Sequence, residues 1–162
     1  MTAPAADNET MKVSLEIEIE ATPAAVWEAL TEGIGAWWPN EFYTGGQEGA
    51  RTFTLEAEPG GRMYETWDGG GGTLWCTIAS VEPGVRLQAM GGLFPNWGGP
   101  SIWFSTWELE AQDDGTLLRF SEHTLGATSE NQCGDRTKGW TYLFGGVLKA
   151  HVEGSPVPAW ED

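Results

Sequence analysis

Hydrophobic and polar residues alternate along most of this chain, and the alternation predicts a β-sheet. In residues 12–20, valine, leucine and isoleucine occupy every second position, with serine and glutamate between them. Successive side chains of a strand point to opposite faces, so this segment is predicted to be a strand with one buried face. Turn residues such as Pro83-Gly84 and Asp113-Asp114-Gly115 separate later runs and are typical of β-hairpins. They predict an antiparallel meander of six more strands, over residues 51–58, 62–67, 73–82, 85–90, 102–111 and 116–125.

Two short helices are predicted between the first strand and the meander. Thr22 is a favourable N-cap, Pro23 suits the first helical position, and a one-sided apolar stripe then runs to about Thr31. Residues 36–38 form a second brief turn that ends at Pro39, because proline disfavours a helical residue before it.

A long amphipathic helix is predicted from residue 131 or 135 to Glu153. Trp140, Phe144, Val147 and His151 recur at steps of four, three and four, which places them on one stripe facing the sheet. The pair Gly145-Gly146 lies inside this helix. Because glycine is unfavourable in a helix interior, we expect close packing or a kink there.

Composition and charge exclude several classes of partner. The 162 residues carry 24 acidic and 8 basic side chains, a formal net charge of -16. Nucleic acids and anionic membranes are bound mainly through Lys and Arg, so we expect neither as a partner. The sequence has no GxGxxG or GxxxxGK[ST] motif and no metal-ligand spacing, so we predict no cofactor and no metal.

The sequence shows no secretory leader and no apolar run long enough to span a bilayer, and we therefore expect a cytoplasmic protein. Cys76 and Cys133 are 57 positions apart and are expected to be reduced thiols.

Six motifs, in order along the chain, resemble the START-like helix-grip superfamily and, more closely, the family of homologues of the activator of heat-shock protein 90 ATPase. They are ATPAAVW (21–27), WWP (37–39), GGRMYETW (60–67), VEPGVRL (81–87), TWEL (106–109) with GTLL (115–118), and GW (139–140). The resemblance implies an α+β helix-grip fold, in which a curved antiparallel sheet of about seven strands grips the long C-terminal helix over a cavity. We expect a disordered tail (1–11), a single domain (12–153) and a C-terminal tail (154–162).

The aromatic content independently favours a cavity. Ten Trp, six Phe and three Tyr supply more aromatic area than a core of this size needs, so some rings should line a cleft. The alternative is a core that happens to be rich in indole. Strand alternation places Trp103, Ser105, Trp107 and Glu122 on the inner face, together with Leu109 and Phe120. The candidate ligand-binding residues are Trp38, Met63, Glu65, Trp67, Trp75, Trp103, Trp107, Glu122, Trp140 and Phe144.

Glu65 is the most informative polar candidate because it lies between Met63 and Trp67 on an apolar face. It could be a general acid, a polar anchor for a ligand, or a member of an internal ion pair. Glu122 has the same alternatives, with the structural role favoured. No catalytic residue is assigned.

Three functions remain open from the sequence. The first is binding of a hydrophobic or aromatic small molecule between the sheet and the C-terminal helix. The second is a cyclase, dehydratase or hydrolase with Glu65 as acid/base. The third is a protein-binding module that contacts a chaperone or forms a homodimer.

Overall fold

All seven strands form one antiparallel sheet. The structure, a computed structural model, describes residues 10–45, 49, 51–127 and 130–161. The strand order is β1-β7-β6-β5-β4-β3-β2, so β1 pairs with the last strand of the meander and forms one edge of the sheet, while β2 forms the other. The strands are β1 (Thr10–Ile19), β2 (Arg51–Leu55), β3 (Arg62–Trp67), β4 (Gly72–Glu82), β5 (Arg86–Leu93), β6 (Ser101–Gln112) and β7 (Gly115–Gly126).

The predicted strands are all present, with ends that differ by a few residues. β1 begins at Thr10, so Thr10 and Met11, which the sequence assigns to a tail, belong to the sheet. The rest of that predicted tail, residues 1–9, lies outside the described residues. The hairpin at Pro83-Gly84 has the predicted chemistry, since Gly84 has φ +77°.

Gly115, at the other predicted hairpin, has a different role from Gly84. It does not have a positive φ. A Cβ at this position would lie 2.2 Å from the carbonyl oxygen of Ile19, so glycine allows β7 to begin directly against β1.

The helices follow the predicted order. They are α1 (Pro23–Leu30), α2 (Ile34–Trp37), α3 (Glu130–Trp140) and α4 (Lys149–Glu153), with short 3₁₀ turns at Asn40–Phe42 and Pro95–Trp97. The Thr22 side chain accepts a hydrogen bond from the Ala25 amide and caps α1, as expected. In the described part of the chain, no helix has the length and apolar character to cross a membrane.

A π-helical segment, Thr141–Leu148, joins α3 to α4, and the three together form the C-terminal helix. A π-helix makes i to i+5 hydrogen bonds, so its side chains advance more slowly around the axis than in an α-helix. Trp140, Phe144 and Val147 are buried as predicted, but Ala150 is buried where the sequence places His151. The prediction for His151 is wrong: the residue is exposed.

The segment after the C-terminal helix folds back onto it. Trp160 contacts the rings of Tyr142 and Phe42, with centroid distances of 4.8 Å and 5.3 Å. A Cβ at Gly146 would lie 3.0 Å from Pro158. The predicted close packing at the glycine pair is therefore present, and the returning segment supplies it.

Candidate functional site

An open cleft lies between strands β4 to β6 and the first half of the C-terminal helix. Its volume is about 280 Å³, close to the lower end of the roughly 300 to 1,000 Å³ usual for ligand pockets. Three tryptophans and several apolar side chains form most of its walls. The lining residues of this indole cleft are Phe42, Trp75, Leu93, Trp103, Asp135, Arg136, Gly139, Trp140 and Leu143.

Local backbone features place two of the indoles. Trp103 lies on the inner face of β6 and covers Gly91 of β5, where a Cβ would come within 2.3 Å of the indole ring. Trp75 has no partner on β3, because the register shifts there and inserts one extra residue into β4. A β-bulge re-aims a side chain, and here it brings Trp75 against Trp38 and Phe53, at centroid distances of 5.3 Å and 5.6 Å.

The indole nitrogen of Trp75 is buried without a hydrogen-bond partner among the described residues. Most buried polar atoms in proteins do have a partner. This nitrogen is therefore an unsatisfied donor at the wall of the cleft, whose lining also includes the charged residues Asp135 and Arg136.

Beyond Trp140, towards the other end of the helix, the space between helix and sheet is filled. The remaining cavity there has a volume of about 10 Å³, near the minimum needed for one water molecule. Trp140 and Phe144 stack at 5.3 Å with parallel rings, and Phe120 contacts both of them and Trp107. Open volume between the helix and the sheet is therefore found only beside the first half of the helix.

The candidate residues from the sequence fall into separate groups. Trp75, Trp103 and Trp140 line the indole cleft. Trp38, Met63, Trp107 and Phe144 surround the small residual void in the filled half. Glu65 and Trp67 form a third group near the β2 edge of the sheet, and Glu122 lies beneath the start of the C-terminal helix.

Glu65 is buried, with 1% of its surface exposed, and is held by neutral donors. One carboxylate oxygen accepts hydrogen bonds from the Thr44 amide at 2.8 Å, the Thr44 hydroxyl, and the Trp67 indole at 3.0 Å. Its other oxygen has no partner in the described part of the chain. Burial, and then the nearby Glu65 charge, raise the pKa of Tyr43.

Glu122 belongs to a buried ion pair with Arg136. One of its oxygens lies 2.6 Å from both Nε and Nη2 of Arg136, and the other accepts a 3.3 Å hydrogen bond from the Ser105 hydroxyl. The Glu122 side chain has 0% exposure and that of Arg136 has 18%. Burial, and then the Glu122 charge, raise the pKa of the neighbouring Cys76 thiol to about 12. This pair ties the first half of the helix to β7.

The sequence reasoning missed several residues of the cleft. Phe42 lies in a 3₁₀ turn, where no periodic pattern marks it, and Arg136 and Gly139 precede the apolar stripe of the helix. Leu93 belongs to a strand that continues beyond its predicted end at Met90. A signal was available for Leu93, which continues the alternation of Leu87 and Ala89, and for Leu143, which lies beside the apolar stripe of the helix.

A curved antiparallel sheet that grips a long C-terminal helix defines this protein as a START-like helix-grip domain. More specifically, it belongs to the family described as Activator of Hsp90 ATPase homolog 1-like protein, whose model matches residues 20–153. No match of comparable significance is found among curated proteins.

Several solved structures share the fold. Protein MLL2253 from Mesorhizobium loti is 23% identical, with a TM-score of 0.62, over 90% of this chain and 99% of that one. The Aha1 dimer from Colwellia psychrerythraea is 20% identical, with a TM-score of 0.61, over 88% and 96% of the two chains. CalU16 from Micromonospora echinospora is 22% identical, with a TM-score of 0.58, over 98% and 83%.

Proposed function

We propose that this protein binds a hydrophobic or aromatic small molecule in the indole cleft. The observation that carries the proposal is the contrast between the two halves of the interior. Stacked rings fill one half and leave a cavity of only about 10 Å³ there. The other half keeps an open cleft of about 280 Å³, although three indoles border it. Large aromatic walls around open volume are the usual surroundings of a flat apolar ligand.

The polar groups at the cleft support binding rather than catalysis. Glu65, the acid/base candidate of the enzyme hypothesis, lies outside the residues that line the indole cleft. Glu122 has its charge compensated by Arg136. General acid/base catalysis needs a titratable group within hydrogen-bond reach of the reacting atom. The Trp75 indole nitrogen could orient a ligand but cannot exchange a proton at ordinary pH.

The proposal is tested by titrating the protein with N-phenylnaphthylamine, a neutral aromatic probe, and following its fluorescence together with that of tryptophan. The key variant is Gly139→Leu. A Cβ at Gly139 would lie 3.5 Å from Phe42, an ordinary contact, and both residues line the cleft, so we expect the leucine to occupy part of it. We expect at least tenfold weaker binding of the probe.

The matched control is Gly134→Leu on the same helix. Gly134 does not line the indole cleft, and a Cβ there would have no atom within 4 Å, so we expect this leucine to leave the cleft unchanged. Both substitutions raise helix propensity, by up to about 1 kcal/mol, which removes helix stability as an explanation of any difference. Equal binding by both variants, or no binding of the probe by the unmodified protein, would contradict the proposal.

A second candidate function is self-association through the outer, convex face of the sheet. We define the convex patch as the exposed apolar side chains of Met90, Phe94, Ile102, Phe104 and Leu125. Met90 pairs with Phe104 across β5 and β6, and Ile102 pairs with Leu125 across β6 and β7, so the patch is continuous. Contiguous exposed apolar surface of this kind usually marks an interaction site.

The proposed occupant of the convex patch is a second copy of the chain. The structurally similar Aha1 protein is a dimer, and a twofold contact would place the patch against itself. A net charge of -16 opposes association, so salt should strengthen it by screening. Sedimentation at low and high salt tests this, with Phe104→Glu as the disrupting variant and Thr52→Glu, on the far edge of the same face, as the control. A monomer under every condition would refute it.

A further inference from the structure

A second cleft adjoins the indole cleft along the start of the C-terminal helix. Its volume is about 260 Å³, and it shares Leu93, Asp135 and Arg136 with the indole cleft. Unlike the indole cleft, it contains two hydroxyl side chains, those of Ser101 and Thr124. We call it the hydroxyl cleft.

Both hydroxyls are buried and lack a partner. Ser101 is 8% exposed and Thr124 is 1% exposed. Neither oxygen has a hydrogen-bond partner among the described residues. Because buried hydroxyls in proteins almost always have a partner, two such groups at the wall of one cleft favour a molecule in the cleft as the missing partner.

Two other hydroxyl side chains on the inner face of β6 and β7 do have partners. Thr116, also on β7 and 1% exposed, donates a 2.7 Å hydrogen bond to the Ala21 carbonyl oxygen. Ser105, between the hydroxyl cleft and the filled core, donates to Glu122. The unpartnered hydroxyls on β6 and β7 are therefore found where these strands border open volume.

The two hydroxyls can act on one ligand group. Ser101 is opposite Gly126, and Thr124 is opposite Trp103, so Ser101 and Thr124 are diagonal neighbours on one face of β6 and β7. Such neighbours are roughly 7 Å apart, a gap that one polar group and one water molecule can bridge together. Trp103 lies beside Thr124 and also borders the indole cleft, which links the two volumes.

The charges nearby select against an anionic ligand. Arg136, the basic residue that lines both clefts, is already paired with Glu122. Asp135 lines both clefts as well, and the whole chain carries a net charge of -16. A carboxylate or phosphate would therefore meet an uncompensated negative field, whereas a hydroxyl or carbonyl group would not.

We infer that the ligand is a neutral amphipathic molecule, with a flat apolar body in the indole cleft and a hydroxyl or carbonyl group held by Ser101 and Thr124. This inference rests on the proposed function, because it extends the same site. It assigns to these two residues a role in ligand selection, through hydrogen bonds that an unsubstituted hydrocarbon cannot make.

The test compares two probes that differ by one hydroxyl, naphthylethanol and ethylnaphthalene. Each is used to displace N-phenylnaphthylamine from the unmodified protein and from the double variant Ser101→Ala/Thr124→Val. We expect the alcohol to bind about threefold to tenfold more tightly than the hydrocarbon, the range that one or two neutral hydrogen bonds provide. The double variant should lose this preference and bind the hydrocarbon at least as tightly as the alcohol.

Thr116→Val is the matched control, since it removes a satisfied hydroxyl from the same strand. It should lower the melting temperature but keep the preference for the alcohol. Equal affinity of the unmodified protein for both probes, or a preference that survives in the double variant, would overturn the inference and assign the hydroxyls to water. Either result would leave the proposed function standing, because binding of N-phenylnaphthylamine tests that function separately.

Discussion

The buried pair Glu122–Arg136 makes a quantitative prediction about stability. Arg136→Met keeps a long apolar stem but removes the charge, which leaves the Glu122 carboxylate buried at 0% exposure with one hydrogen bond, from Ser105. Breaking one partner of a buried ion pair costs about 3 to 5 kcal/mol. Because Arg136 itself is 18% exposed and borders open cleft, water can partly replace it, so we expect the lower end, about 3 kcal/mol.

The assay is urea unfolding followed by tryptophan fluorescence, supported by thermal melts. About 3 kcal/mol corresponds to a fall in melting temperature of roughly 6 to 12 °C for a domain of this size. The double variant Glu122→Gln/Arg136→Met should recover most of the loss, because it no longer buries an unpaired charge. A matched surface control is Arg62→Met, which breaks an exposed pair with Glu56 and should cost less than about 1 kcal/mol.

Two results would refute this reasoning. The first is a loss for Arg136→Met as small as that of the surface control. The second is a double variant no more stable than Arg136→Met alone. Either would mean that water entering from the cleft solvates Glu122, and that the pair does not hold the first half of the helix to the sheet.

Three other predictions concern the core, the thiols and the end of the helix. Trp107→Ala should cost about 3 to 5 kcal/mol in urea titrations yet leave binding of N-phenylnaphthylamine within about twofold, since Trp107 borders the filled half; a parallel loss of binding would contradict that separation. With a pKa of about 12 and 2% exposure, Cys76 should resist a thiol reagent that labels half-buried Cys133 in the native protein; two thiols labelled at one rate would disprove this. The Glu20 amide and Lys149 lower the pKa of Glu153, so its contribution to stability is present above its ordinary pKa and is lost as pH falls through the lowered one. Glu153→Gln should therefore reduce stability at neutral pH but not at strongly acidic pH; an equal deficit at both, measured by urea titration, would rule out the charge as the cause.

The sheet could be predicted from the sequence because one of its faces is buried along its whole length. Each strand then needs an apolar residue at every second position, and a slip by one residue would expose the entire set. Alternation also placed Trp103, Trp107 and Glu122 correctly on the inner face. The family motifs supplied the order of the elements and the packing of the helix across the sheet.

The C-terminal helix shows where periodicity fails. The spacing of Trp140, Phe144 and Val147 suits an α-helix, and nothing in the residue types marks the change to a π-helix at Thr141–Leu148. That change rotates the buried face, so Ala150 replaces His151 at the sheet. Whether a helix is α-helical or π-helical at a given point depends on its packing, which the spacing of apolar residues alone does not encode.

The extent of the candidate site also could not be predicted from the sequence. Alternation identifies inward-facing rings, but it does not say which of them stack and which border open space. Trp140 both stacks on Phe144 and borders the indole cleft. The assignment of ligand-binding residues and a cytoplasmic location both stay predictions.

The segment that follows the C-terminal helix affects the shape of the indole cleft. Trp160 packs against Phe42, which forms one wall of the indole cleft. The Lys138 ammonium lies 5.1 Å from the centre of the Trp160 ring. A residue outside the sheet and the helix thus helps to set the width of the indole cleft, whose other walls lie in the sheet and in the C-terminal helix. Substitution of Trp160 would therefore remove a contact that holds Phe42 in place and would change the shape of the cleft without altering any of the residues that line it.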